Sequence, residues 1–200
     1  MIESFRSKDK QALFEGKRVK RFANMEAIAQ RKLQQLDSAS TLEFLRSPPG
    51  NRLEALAGDR AGQHSIRSND QLRLCFVWND GNATDVEIVD YHGQTEKVPV
   101  MKPQNKMRPI HPGEVLREDF LVPLQMTPHA LAIALRVPTS RINDIALERR
   151  SVTLDTALRL ARYFGGDAQS WLNLQIAYDL KQAQKELAPK ISREVMPLAA

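Results

Sequence analysis

The sequence has one cysteine, Cys75, in 200 residues. A single thiol excludes an intrachain disulfide and any zinc site built on cysteines. Cys75 lies inside an apolar run, between Leu74 and Phe76, so a buried side chain is expected. No apolar stretch approaches membrane-spanning length, and the first residues carry no apolar signal core. The expected setting is therefore a reducing cytoplasm, with no membrane partner. Internal repeats and low-complexity tracts are also missing, which argues against solenoids and disordered arrays.

Charge of both signs is present, 29 Lys and Arg against 24 Asp and Glu, leaving a net charge of +5. That excess suits a nucleic acid partner and equally a solvated basic surface. Hydrophobic residues make up 42%, enough for folded cores, and the length allows one medium domain or two small ones. The pattern favours two. Residues 93–107, GQTEKVPVMKPQNKM, are polar, hold two prolines and lack helical periodicity, so they read as a linker. Met101 and Met107 fall inside it, where a junction between two joined genes would leave a start codon. A methionine there is equally just a residue.

The first half reads as α+β. Met1 to Phe5 suggests a short strand and Lys8 to Phe14 a short helix. Met25, Ile28, Ala29, Leu33 and Leu36 recur at helical spacing, which predicts an amphipathic helix from Asn24 to Leu36. Ser47-Pro48-Pro49-Gly50 is a break, followed by short strand-like runs. Leu72, Leu74, Phe76 and Trp78 alternate with Arg73, Cys75 and Val77, the period of a strand. Asn79 to Asn82 is a turn, and Val86, Ile88 and Val89 open the next strand. A small antiparallel sheet with helices on one side is expected.

The second half is helical throughout. Thr127-Pro128 is a helix start, a hydroxyl cap followed by proline at the first helical position. Leu131, Ala132 and Leu135 face inward. The chain breaks at Arg136-Val137-Pro138, and Thr139 begins a second helix with Ile142 and Ile145 inward. This spacing is that of a helix-turn-helix. The exposed face of its second helix carries Thr139, Ser140, Arg141, Asn143 and Asp144, which can reach base edges in a major groove. Arg149 and Arg150 suit phosphates, as does Thr127 at the first helix start. Glycine is usual at the turn position held here by Arg136; a positive φ there costs an arginine about 1 kcal/mol. An ordinary pair of packed helices with a charged face would show the same spacing.

Flanking motifs narrow this. His111-Pro112-Gly113-Glu114 precedes Leu116 and Phe120. Then come Asp155 to Ala161, Tyr163-Phe164-Gly165, and Trp171 to Gln175. In that order they resemble the HigA-type antitoxins of the XRE helix-turn-helix family, over about Met107 to Asp179. The resemblance implies a five-helix domain that dimerises and represses its own operon. It makes Trp171, Leu172 and Leu174 core or dimer contacts. The tail from Gln182 is charged and expected to be partly mobile.

The first half has its own resemblance. Arg52 to Arg60, Ser65-Ile66-Arg67, Gln71 to Phe76 and Asp85 to His92, with Ile2 to Phe5, look like a HigB-type toxin of the RelE superfamily. That family cuts mRNA on the ribosome. The implied fold is a RelE-like α+β domain at residues 1–92, a linker at 93–107, and an all-α helix-turn-helix domain at 108–200. The implied chemistry is attack of a ribose 2′-OH on phosphorus, leaving a 2′,3′-cyclic phosphate without metal or cofactor. Arg73 is the candidate cation for the phosphorane charge, His92 the proton-transfer group, and Tyr91 an RNA-positioning or proton-assisting group. Taken without the resemblance, all three read as surface or edge-packing residues. The lysine common in relatives is Ala57 here, and an aromatic is often found where His64 stands. His64 is a possible compensating group, or a surface residue. The basic run Lys17, Arg18, Lys20, Arg21, Arg31 and Lys32 either contacts ribosomal RNA, forms a solvated face, or packs on the antitoxin.

The expected function is a toxin–antitoxin fusion. Its antitoxin half binds operator DNA as a homodimer and neutralises a latent ribosome-dependent mRNA endoribonuclease, within or between chains. The alternative is a repressor whose toxin domain is only an interaction module.

Overall fold

The computed structural model describes residues 1–6, 8–69, 72–90 and 103–197, apart from the side chains of Arg21 and Asp90. Helices α1 (Lys8–Phe14), α2 (Glu26–Ser38) and α3 (Leu42–Arg46) come first. A four-stranded antiparallel sheet follows in chain order. Its strands are β1 (Glu54–Ala55), β2 (Gln63–Arg67), β3 (Leu72–Asn79) and β4 (Asn82–Asp90). The turn expected between the last two is the pair Asp80-Gly81, with φ of 46° and 83°. Two left-handed residues match the twist of a tight hairpin, and glycine takes the second without strain.

Two expectations shift. Met1 to Phe5 is not a strand; Ile2 and Phe5 make single parallel bridges to Ala83 and Val86 along the edge of β4. The helix expected from Asn24 begins at Glu26, after a 3-10 turn over Lys20–Met25.

The sheet has two unlike faces. Ile66 pairs with Leu74, which pairs with Ile88; all three are buried in one core with Leu13, Phe14, Leu33 and Leu36. Ser65 pairs with Cys75, and Cys75 with Glu87; Arg73 pairs with Val89. Cross-strand partners share a face, so these residues lie on the side away from the helices. A register shift between Cys75 and Val77 interrupts the strict alternation read from the sequence.

In the second half α4 (Pro112–Val115) runs into a π-helical segment, Leu116–Leu121. Then come α5 (Pro128–Leu135), α6 (Thr139–Ala146), α7 (Leu154–Phe164) and α8 (Ala168–Glu194). The expected core is present: Leu131, Ala132, Leu135, Ile142 and Ile145 are all buried. Trp171 and Leu174 are fully buried, and Leu172 is half-buried. The charged tail continues α8 to Glu194, with Pro189 inside the helix.

The halves are packed together through α2. One face of this helix covers the sheet. Its other face is polar, yet Gln30, Arg31, Lys32, Gln34 and Gln35 are all buried. Gln30 bonds Glu26, and Gln34 is held by Ser38 and Asn105; for Arg31, Lys32 and Gln35 the reason is Asp119. Its carboxylate accepts from Lys32 Nζ at 2.6 Å, Gln35 Nε2 at 2.6 Å and Arg31 Nε at 2.8 Å. Glu114 is held by Arg108 at 2.7 Å and approaches Arg31 at 3.5 Å. Arg31 and Lys32 are therefore unavailable to ribosomal RNA; of the three readings of the basic run, theirs is packing on the helical half. Lys17, Arg18 and Lys20 stay exposed.

Further along, Trp171 stands edge-on to Phe44, ring centres 5.8 Å apart, and also meets Phe120 at 5.2 Å. Asn173 Nδ2 donates to Ser38 O at 3.0 Å and Ser40 N to Ser170 Oγ at 2.9 Å. Gly166, at φ +82°, lies so close that a Cβ there would meet Phe44 Cα at 2.9 Å. The end of the segment read as a linker is also docked. Lys106 N donates to Phe14 O at 2.9 Å, Asn105 Nδ2 reaches Asp37 at 2.9 Å, and Met107 is buried. Residues 93–102 lie outside the described residues.

Candidate nucleic-acid interfaces

The helix-turn-helix is built as its sequence implies. Thr127 Oγ1 accepts from Ala130 N at 3.1 Å, which caps α5, and Pro128 occupies its first turn. Arg136 takes the left-handed conformation, φ 54° and ψ 51°. Val137 N then returns to Ala132 O at 3.0 Å, closing the helix end as a glycine would. Pro138 sets the entry to α6.

The outer face of α6 carries the expected set. Thr139 and Ser140 are exposed, and Arg141, Asn143 and Asp144 are half-buried. Several are held in place by local partners. Thr139 Oγ1 meets His129 Nδ1 at 3.0 Å, and Arg149 Nη2 donates to Asp144 at 2.8 Å. Arg150 is exposed. Arg141 Nη1 donates to Asp155 Oδ2 at 2.5 Å.

Asp155 and Arg159 belong to the motif from Asp155 to Ala161 and are not among the DNA-contacting residues expected from the sequence. Arg159 Nε donates to Asp155 at 2.9 Å and its Nη1 caps Leu135 O at 2.9 Å. Hydrogen bonds from Arg159, then from Arg141, hold the Asp155 carboxyl below the usual carboxylate range. Arg141, Arg150, Thr153, Asp155 and Arg159 line an open depression of about 390 Å³ beside α6. The four-residue step from Asp155 to Arg159 was the sequence signal for this clamp.

The second candidate site is on the outer face of the sheet. Glu54, Leu56, Arg60, Arg73, Cys75 and Val89 line a cleft of about 190 Å³. Arg73 is anchored from three sides. Its Nη2 meets Glu54 at 2.6 Å and Arg52 O at 3.1 Å, and its Nε donates to Ser65 Oγ at 2.9 Å. Arg60 pairs with the buried Glu87, which Arg6 also approaches at 3.4 Å. Burial pushes the Cys75 thiol up, so it is no nucleophile at neutral pH. Both arginines of the cleft thus carry a carboxylate partner, a feature the sequence reading did not anticipate.

Tyr91 and His92 lie outside the described residues. His64 does not reach this cleft; it pairs with Phe76 on the helix-covered face and stacks on that ring, centres 6.0 Å apart. Ala57 is exposed at the start of a 3-10 turn. No residue of 103–197 lines the cleft. In layer order the cleft comes first, then the sheet, then α2, then the helical half. Among the described residues no cluster of metal-ligating side chains occurs, and no helix is long and apolar enough to cross a membrane.

Residues 3–92 match the family model described as the RelE-like toxin of the type II toxin–antitoxin system HigB. Over 77 residues, the chain is 35% identical to antitoxin HigA-1 of Vibrio cholerae, covering 38% of this chain and 72% of that protein. The chain belongs to the HigB–HigA toxin–antitoxin family. It is also 63% identical over 83 residues to virulence-associated protein I of Dichelobacter nodosus, covering 42% of this chain and 77% of that protein. Among solved structures, Pseudomonas aeruginosa antitoxin HigA with the higBA promoter shares 47% identity. That match covers 46% of this chain and all of the other, with a TM-score of 0.45.

The cleft therefore sits on the HigB-type domain and the helix-turn-helix on the HigA-type domain, with the toxin domain first in the chain. Asp119 and Trp171 of the HigA-type domain grip α2 and α3 of the HigB-type domain from behind the sheet.

Proposed function

We propose that this HigB–HigA fusion binds operator DNA as a dimer through α6 and represses its own transcription. Its HigB-type domain is a latent ribosome-dependent mRNA endoribonuclease, held neutral by the attached antitoxin domain. The observation that carries the DNA reading is the α6 face: Thr139, Ser140, Arg141 and Asn143 point outward from a buried core, with Arg149 and Arg150 at the helix exit. Polar side chains on one outer helix face read base edges, and the arginines hold phosphates.

Neutralisation acts from the back of the toxin domain. The antitoxin leaves the described part of the cleft open, so it works by bulk, keeping the domain out of a ribosomal site made for the toxin alone. The covalent tether raises the local concentration of one half around the other, to the millimolar range for a short flexible linker. Release then requires cleavage between the halves or degradation of the antitoxin. In the freed toxin, Arg73 stabilises the phosphorane charge, His92 moves the 2′ proton and Tyr91 positions the RNA.

The test uses the full chain and its upstream palindrome as a labelled duplex. Arg141→Ala and Asn143→Ala each weaken binding by about 1–3 kcal/mol. Arg150→Ala lowers the salt slope by about 1 without changing sequence preference. Unchanged affinity in both α6 variants overturns base reading by this helix. A second reading, a repressor with a purely structural toxin domain, is favoured by Ala57 and by the carboxylate on each cleft arginine. Expression of residues 1–92 alone separates the two, through growth arrest with mRNA cleavage or its absence.

A further inference from the structure

We infer that Asp155 is a specificity-determining residue of the DNA-reading surface: it fixes the Arg141 guanidinium, so that Arg141 reads a guanine and does not settle on a phosphate. This deepens the DNA part of the proposed function and rests on base reading by α6.

Arg141 is the third residue of α6, near the end of the helix that meets bases in a helix-turn-helix. A free arginine there is a poor reader. Its side chain is long and rotatable, and any phosphate satisfies its charge as well as a base edge does. Arg141 is not free. Its Nη1 donates to Asp155 Oδ2 at 2.5 Å, while its Nε and Nη2 have no partner among the described residues. Nε and Nη2 are adjacent donors on one edge of the guanidinium, a pair that matches guanine O6 and N7.

Asp155 is itself located from behind. Its Oδ1 accepts from Arg159 Nε at 2.9 Å, and Arg159 Nη1 donates to Leu135 O at 2.9 Å. Leu135 closes α5, so its carbonyl has no further helical turn to bond. The contacts therefore run from a backbone oxygen of the first helix, through two side chains of α7, to the reading side chain of the second. Asp155 and Arg159 are four residues apart, which keeps them on one face of α7.

Stability does not account for this arrangement. The Arg141, Asp155 and Arg159 side chains are 30%, 51% and 41% exposed, and ion pairs so open to water contribute little. A carboxylate at this place also opposes DNA binding. Asp155 lines the same depression as Arg150, Ser151 and Thr153, and a negative charge there repels the phosphates that Arg150 attracts. Its first-turn position favours the α7 dipole, but that effect needs no partner on α6. The geometry is that of a buttress, which gives up raw affinity for discrimination between sequences.

The experiment uses the full chain, the upstream palindrome, duplexes with single base-pair changes in it, and a duplex of unrelated sequence. Arg141→Ala first locates the base pair that Arg141 reads, as the position where preference disappears. Asp155→Ala is expected to lose roughly tenfold in preference at that same position, while its affinity for the unrelated duplex stays level or rises. Asp155→Asn retains an acceptor oxygen for Arg141 and keeps most of the preference. Wild-type preference in Asp155→Ala overturns the inference, because Arg141 then reads unaided. Equal loss in Asp155→Asn and Asp155→Ala overturns it as well, since charge alone is then at work. A uniform loss on every duplex makes Asp155 a structural residue and has the same consequence. If Arg141→Ala erases preference at no position, base reading by α6 fails and this inference fails with it, an outcome distinct from the other three.

Discussion

Lys32 Nζ of the toxin domain and Asp119 Oδ1 of the antitoxin domain meet at 2.6 Å, both side chains about 5% exposed. Burial pulls the Lys32 ammonium below its ordinary pKa, with Asp119 opposing the shift. The pair lies in the seam between the two halves. Separation returns both charges to water; losing only one leaves the other stranded.

Asp119→Ala is therefore expected to destabilise the fusion by about 3–5 kcal/mol, the cost of an uncompensated buried charge. Lys32, Arg31 and Gln35 would all lose the Asp119 carboxylate, leaving Lys32 only the neutral Asn51 oxygen and Arg31 the more distant Glu114. Denaturant unfolding measures it. The double variant Lys32→Met/Asp119→Leu should recover most of the loss, since a packed apolar pair replaces the ions. A loss of only about 1 kcal/mol for Asp119→Ala, the scale of an exposed pair, would show that water reaches this seam.

A second prediction concerns acid. His111 is buried, its Nδ1 accepts from Gly113 N at 2.9 Å to cap α4, and its ring stands edge-on to Tyr178 at 4.7 Å. Burial pushes its pKa below the ordinary 6.5, with Glu148 and Asp179 pulling the other way. As pH falls, the unfolded chain takes the proton first, so this contribution to stability is full above about 6.5 and is lost as pH drops from there toward the folded-state value. His111→Asn keeps a capping oxygen but cannot titrate. Its stability should fall less steeply than the wild type between about pH 7 and pH 5. Parallel pH curves would remove His111 as the cause.

Such contrasts show what the sequence revealed and what it concealed. The helix-turn-helix was legible because its signals are local: Thr127 caps three residues ahead, Pro128 fixes a first turn, and Leu131 with Leu135, then Ile142 with Ile145, repeat at helical spacing. The hairpin at Asp80-Gly81 was legible for the same reason. The seam was not. Gln30 to Gln35 reads as a solvated helix face, and it is Asp119, Glu114 and Asn105, some seventy to ninety positions later, that turn Arg31, Lys32, Gln34 and Gln35 inward. Arg31 and Lys32 were for that reason assigned an RNA role as one option. In the cleft, Arg73 could be named from the sequence, but its Glu54 partner comes from strand register and the Glu87 beneath Arg60 from the fold. Long-range charge pairing leaves no periodic trace in a single sequence.

The turn of the helix-turn-helix carries a local strain that can be relieved. Arg136 holds φ 54° and ψ 51° with an exposed side chain. A side chain in this region costs about 1 kcal/mol over glycine. Arg136→Gly should therefore stabilise the antitoxin domain by up to about 1 kcal/mol, a rise of about 2–4 °C in melting temperature. Thermal unfolding followed by circular dichroism checks it. A fall in melting temperature would mean that the flexibility glycine adds to the unfolded chain, or a lost Arg136 contact, outweighs the relieved strain.

The last prediction turns on the paired charges of the toxin cleft. An RNA phosphate approaching Arg73 must displace the Glu54 carboxylate, which sits 2.6 Å from the guanidinium but is about half exposed. The pair is shielded by solvent, so the competition is modest and the direction is the informative part. In residues 1–92 expressed alone, Arg73→Ala should abolish mRNA cleavage, because no other described cation of the cleft is free of a buried carboxylate. Glu54→Gln should leave the fold intact and increase RNA retention up to roughly tenfold, since a charge-assisted contact is exchanged for a neutral one. Cleavage should rise with retention if Glu54 only competes for Arg73. If Glu54→Gln instead lowers cleavage while RNA retention rises, the carboxylate takes part in the proton transfer and Arg73 is its positioning partner. Full cleavage activity in Arg73→Ala would refute the assignment of this cleft altogether.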